Sequence, residues 1–173
     1  MEMNLPVLVG RILHVGLGVF WAGTIFFVVF FLEPSIRSVG PEGGRVMQAL
    51  QKRGFLVILP MAALLTILSG AYLYGRLLSE SGMGWVTTPL GGTLTIGGIA
   101  ALLAFGQGYF LMRPATLKVA ELSALLAGNQ EAGEREATLA EIDAMKSRSR
   151  TQARWVALWL GIAVLTMAVA RYL

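Results

Sequence analysis

Residues 11–34 read RILHVGLGVFWAGTIFFVVFFLEP. From residue 15 to residue 32 this stretch carries no charge, and the first one met is Glu33. About 20 apolar residues rising 1.5 Å each cross a hydrocarbon core of ~30 Å, so the run predicts a membrane-spanning helix. His14, the only histidine in the chain, falls inside it. Why an imidazole should sit there is the functional question.

Three further stretches of the same kind follow, at residues 55–75, 86–112 and 155–170, the last extended by Tyr172 and Leu173. Spans are expected at about 6–32, 55–78, 89–112 and 154–173, with loops at 33–54 and 113–153. Composition agrees. The 173 residues are 55% hydrophobic and 14% charged, with a mean hydropathy of +0.68. A water-facing domain carries about 25% charged residues. The expected fold is an all-α integral membrane protein forming a single domain. It is a four-transmembrane-helix bundle with a partly helical loop between the third and fourth spans.

Local signals place the helix ends. Pro6 suits a first turn, and Glu33–Pro34 reads as the end of the first span. Pro60 predicts a kink in the second. Thr88–Pro89 reads as the cap and first residue of the third, and Trp85 before it as an interfacial anchor. Val46, Met47 and Leu50 form one side of a short amphipathic segment. Residues 118–127 read as helix ending at Gly128–Asn129, and from Glu131 a helix should run into the fourth span. A cleaved signal peptide is not expected, because nothing basic precedes Arg11 and the apolar run exceeds the ~7–15 residues of such a signal.

Charge orients the chain. Eleven of its 14 Lys and Arg lie in loops one and three. They are Arg37, Arg45, Lys52 and Arg53, then Arg113, Lys118, Arg135, Lys146, Arg148, Arg150 and Arg154. The positive-inside rule then puts both loops in the cytoplasm and both termini outside. The pI of about 9.9 therefore reflects topology, with no nucleic-acid partner. Lys146, Arg148, Arg150 and Arg154 form a collar where anionic lipid head groups would contribute ~1 kcal/mol each.

The sequence also echoes itself. FFLEPSIR (30–37) resembles YFLMRPATLK (109–118), with Pro34 and Pro114 closing the inner ends of the first and third helices, and LLTILSGAYL (64–73) resembles VLTMAVARYL (164–173). The match sets Thr66 beside Thr166 and Tyr72 beside Tyr172. Spans one and two read as one hairpin and three and four as a second, parallel copy.

Counting from Leu5, His14 lies roughly 13 Å along the first helix. Arg11, His14, Gly18 and Trp21 share a side of it. Gly10, His14, Gly18 and Ala22 keep a four-residue step, and small residues at that step let a second helix come close. His14 is thus expected to face the bundle. Ser69, Tyr72, Arg76, Thr93, Thr95, Arg171 and Tyr172 are expected at the same end. Such a pocket is cationic and rich in donors, which suits an anion, a quinone carbonyl or porphyrin propionates better than a bare cation. The opposing reading makes His14 a helix-to-helix hydrogen bond and lets Arg11, Arg76 and Arg171 snorkel to water. Thioethers favour Cu(I), and Met1, Met3 and Met83 are on the outer side, but Met83 is a lone loop residue and eight methionines in so apolar a chain are mostly packing. Gln107 and Tyr109 suggest a polar contact between helices. With no cysteine, thiolate metal sites and thiol catalysis are excluded. Paired carboxylates and nucleophile–base sets are missing too, so a hydrolase is not expected.

The pattern H-x6-W-x-G (His14, Trp21, Gly23), followed by aromatic residues and Pro34, resembles the first helix of copper-resistance-D-like (CopD) membrane domains. It is also similar to the J-type protoporphyrinogen oxidases (HemJ). LTILSGAYL (65–73) resembles the second helix of both. The resemblance implies a four-helix inner (plasma) membrane protein of bacterial type, and it matches His14 to a histidine associated with haem. The oxidase group also has a lysine after the loop-two tryptophan and a later aromatic–histidine pair. Here VTTPLGG follows Trp85, and no second histidine exists.

The expected function is non-enzymatic. Haem or a related cofactor would be held in a pocket formed by His14, Arg11, Trp21, Tyr72, Arg76 and Arg171, with His14 as the metal ligand. One histidine implies five-coordinate iron, a different second ligand, or sharing across a homodimer. The alternatives are an accessory subunit of a larger membrane complex without its own cofactor, and copper or small-solute transport.

Overall fold

The computed structural model describes residues 4–126 and 132–173, and Gly128, Asn129 and Glu131 lie outside them. Five helices follow in order: α1 (Leu5–Ser38), α2 (Gly43–Lys52), α3 (Phe55–Ser81), α4 (Pro89–Leu125) and α5 (Ala132–Tyr172). All but α2 are long and apolar enough to cross a membrane. This is the architecture of a polytopic membrane protein.

Capping follows the sequence signals at two starts. The Asn4 side chain accepts from Val7 N–H at 3.4 Å, with Pro6 in the first turn. Thr88 Oγ1 accepts from Gly91 N–H at 3.1 Å ahead of Pro89. Gly54 joins α2 to α3 at φ 81°, a left-handed conformation that a side chain would strain.

Two expectations about helix ends need correction. Pro34 does not end α1, and Pro114 does not end α4. A proline inside a helix lacks its N–H, and its ring presses on the carbonyl four residues back. In α1 one π turn, Val28–Leu32, widens the helix just before the proline, and Glu33 N–H donates to the Val28 carbonyl. In α4 the turn Gly108–Met112 does the same, and Arg113 N–H donates to the Gly108 carbonyl. With that slack each helix runs on, to Ser38 and Leu125. Both helices thus reach into the expected loops 33–54 and 113–153, alongside the helical segments the sequence predicts there. The two devices lie 80 residues apart, so the sequence echo is also an echo of backbone geometry.

Each hairpin packs chiefly on itself, α1 on α3 and α4 on α5, and α1–α5 and α3–α4 contacts close the bundle. The seams rhyme. On one, Gly18 faces the Thr66 methyl; on the other, Gly97 faces Thr166 Oγ1. Both threonines return their hydroxyls to their own helix, at Ala62 and Ile162. All four spanning helices meet around Trp21, Ile25, Leu59, Ala63, Ala104 and Val156. Ala104 there has no exposed surface, as expected where backbones approach closely.

At the end carrying the basic loops, side chains join the helices. Gln107 Nε2 donates to Gln152 Oε1 at 2.8 Å, and Thr116 and Ser149 hydroxyls pair at 3.1 Å. Arg150 approaches Glu33 at 3.7 Å. Tyr109 stacks on Phe105 and lies beneath the Arg113 guanidinium. Arg113 Nε–H also reaches the Leu56 carbonyl at 3.4 Å. A helix would fill that carbonyl from residue 60, which is proline and has no N–H to give.

Trp85 is not an interfacial anchor. The 3-10 turn Met83–Thr87 folds it back until it is 8% exposed. Its ring meets Tyr74 edge-on at 5.3 Å, and a Cβ on Gly91 would overlap its carbonyl. Gly91→Ala should lower stability by about 1–3 kcal/mol through overpacking. Gly98→Ala, on the same helix but facing open space, should cost nothing. Thermal unfolding in detergent checks this, and equal midpoints for both variants would contradict it.

Candidate functional site

The four-residue stripe on α1 is the seam with α3. A Cβ on Gly10 would stand 3.1 Å from the Tyr72 ring, and one on Gly18 would stand 3.4 Å from Thr66 Cγ2. Between them His14 turns toward α3. Its Nδ1 lies 2.8 Å from the Thr66 carbonyl oxygen.

That distance fixes the chemistry of the neutral ring. A carbonyl only accepts, so Nδ1 must carry the proton and donate. Nε2 then keeps its lone pair, and it has no hydrogen-bond partner among the described residues. A carbonyl partner on one ring nitrogen is the usual way a protein prepares the other as a base or metal ligand.

Gly70 makes the seat. An ideal Cβ there would fall 2.7 Å from His14 Cε1 and 2.9 Å from Nδ1, but 3.7 Å from Nε2. The ring thus lays its Nδ1–Cε1 edge on bare α3 backbone. Ser69 Oγ sits 3.0 Å from the same Thr66 carbonyl and 2.7 Å from that of Leu65. The second hairpin has no such seat, since the echoed positions are Leu94 and Ala170.

The other expected site residues are placed as follows. Tyr72 is on the same seam about one turn from the ring, against Gly10, and is 42% exposed. Trp21 lies seven residues along α1, roughly 10 Å away, and is 4% exposed in the central core. Arg11 is exposed. Arg76 pairs with Glu80 one turn along its own helix. Arg171 lies over its neighbour Tyr172, 5.3 Å from the ring centroid, on the exposed last turn. The structure therefore gathers His14, Thr66, Ser69 and Gly70, and it engages two of the three guanidinium groups elsewhere. Met83 is on the exposed turn before α4, and Met1 and Met3 lie outside the described residues.

Tyr74 was not singled out from sequence. Its hydroxyl pairs with Thr95 Oγ1 at 2.7 Å, tying α3 to α4. Tyr72 and Tyr74 are two residues apart, about 200° around a helix, so they face different neighbours. Nothing in the sequence says which one faces α1.

Among the described residues no three His, Asp or Glu side chains converge as a metal site. A lone prepared imidazole suits a metal that brings its remaining ligands with it. No family model, curated protein or solved structure matches the chain.

Gly70→Ala should push the ring off the Thr66 carbonyl and destabilise the protein by about 1–3 kcal/mol. Adding His14→Ala should recover most of that loss. Thermal unfolding of the four proteins in this cycle checks the coupling, and additive effects of the two substitutions would contradict the seat.

Proposed function

We propose that this chain is a non-enzymatic inner-membrane protein that holds haem, or a related tetrapyrrole, on His14. The observation that carries the reading is the Nδ1 donation to Thr66, which leaves Nε2 as a neutral nitrogen donor within a membrane span. Ionisable groups in spans are costly and lean toward function. A tetrapyrrole supplies four nitrogen ligands of its own, so a single imidazole suffices where a bare ion would need several side chains. When bound, the group would contribute its iron chemistry.

The chain's own residues hold the nitrogen in place. Thr66 fixes the tautomer, and Gly70 fixes the ring plane. The positive-inside rule puts the basic loops in the cytoplasm, which sets His14 in the outer half of the bundle and both termini outside. Lys146, Arg148 and Arg154, all exposed, would meet anionic head groups at the inner surface, while Arg150 leans on Glu33.

Protein expressed with excess haem and purified in mild detergent should show a Soret band. His14→Ala should remove it without changing the elution volume, and Arg171→Gln should leave it in place. A wild-type protein with no Soret band, or an unchanged band in His14→Ala, would overturn the reading.

A further inference from the structure

At the basic end, two apolar grooves share one wall. The first runs between α3 and α4, walled by Pro60 and Phe105 over a floor that includes Trp21 and Val156. The second lies against α1 and α2, beside Phe20 and Leu50. Phe55 and Leu59 line both, forming a ridge with a groove on either side.

Each groove carries one arginine. Arg113 lines the first and Arg53 the second. Both meet at the start of α3, Arg53 from the turn before it and Arg113 from α4. Arg53 immediately precedes the Gly54 turn, and Arg113 bonds the carbonyl of Leu56, three residues beyond Arg53. That bond uses Nε alone and leaves both terminal amino groups of the guanidinium to donate. It also ties the group to the carbonyl that Pro60, lacking an N–H, cannot fill. Neither arginine has a carboxylate within ion-pair distance among the described residues, whereas Arg45, Lys118 and Arg150 at the same end do.

Two guanidinium groups without carboxylate partners, over two adjacent apolar grooves, match an anionic diacyl phospholipid in both charge and shape. Arginine is the side chain best suited to a phosphate, which it binds with two donors at once. We propose that the phosphate of one anionic phospholipid lies between Arg53 and Arg113, with an acyl chain on each side of the Phe55–Leu59 ridge. This bound lipid is distinct from the diffuse contact expected at the Lys146–Arg154 collar. Because Leu56 already holds Arg113, little side-chain freedom is lost on binding.

The test uses the full chain, delipidated in detergent and titrated with phosphatidylglycerol or phosphatidylcholine under native mass spectrometry. Wild type should hold one phosphatidylglycerol at least ~10-fold more tightly than phosphatidylcholine. Each arginine lost should weaken that binding about fivefold. Arg53→Gln with Arg113→Gln should thus abolish the preference. Arg37→Gln with Arg135→Gln, an equal loss of charge at exposed positions, should keep it. If the double variant elutes as aggregate, Arg53→Gln alone carries the test, since Arg53 makes no side-chain bond among the described residues and its loss should still weaken binding about fivefold. Equal binding of the two lipids by wild type, an undiminished preference without the arginines, or an equal loss in the control pair would overturn the proposal.

Discussion

Hydrocarbon offers a backbone carbonyl no partner, so within a bilayer each one must be satisfied by the protein itself. The least regular parts of this fold answer that constraint. Three prolines lie inside its spanning helices, and each withholds an N–H where a carbonyl expects one. At Pro34 and Pro114 the chain responds with a π turn, which shifts the bonding by one residue and lets the helix continue. At Pro60 it responds with a side chain from a neighbouring helix, Arg113 on the Leu56 carbonyl. The same economy places His14, whose ring is held by a carbonyl of α3.

These responses link architecture to chemistry. Had Thr66 offered a donor in place of a carbonyl, the imidazole would hold the other tautomer and its lone pair would face α3. Gly70 is the second requirement, since any side chain there would fill the space of the ring. The two hairpins share their π turns and their threonine–glycine seams, yet only the first has this pair. Leu94 and Ala170 occupy the echoed positions, with neither an imidazole nor a bare backbone to seat it. Packing is thus common to both halves, while the polar seat is found in one.

Much of the scaffold was legible in the sequence because the signals are strong and local. Four uncharged runs fix the spans, Pro6 and Thr88–Pro89 mark two helix starts, and the Gly10–Ala22 stripe identifies the seam that turns His14 inward. The helix ends were misread where tertiary context overrides a local rule. Proline usually stops a helix, but Pro34 and Pro114 do not, because a π turn is not encoded by any one residue. Trp85 has the composition of an anchor, yet its burial depends on the Gly91 backbone and on Tyr74, neither adjacent to it in sequence. The candidate site was legible only in part. His14 could be found by its isolation, but its partner is a main-chain oxygen, which every residue possesses and no sequence pattern distinguishes. The Leu56 carbonyl was within reach of simple counting, four residues before Pro60, whereas the identity of its donor was not.

The central claim is that His14 donates from Nδ1 to the Thr66 carbonyl and leaves Nε2 without a partner among the described residues. Nitrogen-15 NMR of histidine-labelled protein in lipid bilayers reads this directly, because the chain contains one histidine and therefore one pair of ring nitrogens. A protonated Nδ1 and an unprotonated Nε2 signal, collapsing to the other tautomer or to mixed states on Gly70→Ala, is the predicted result. A ring protonated on Nε2 in the wild-type protein would contradict the account.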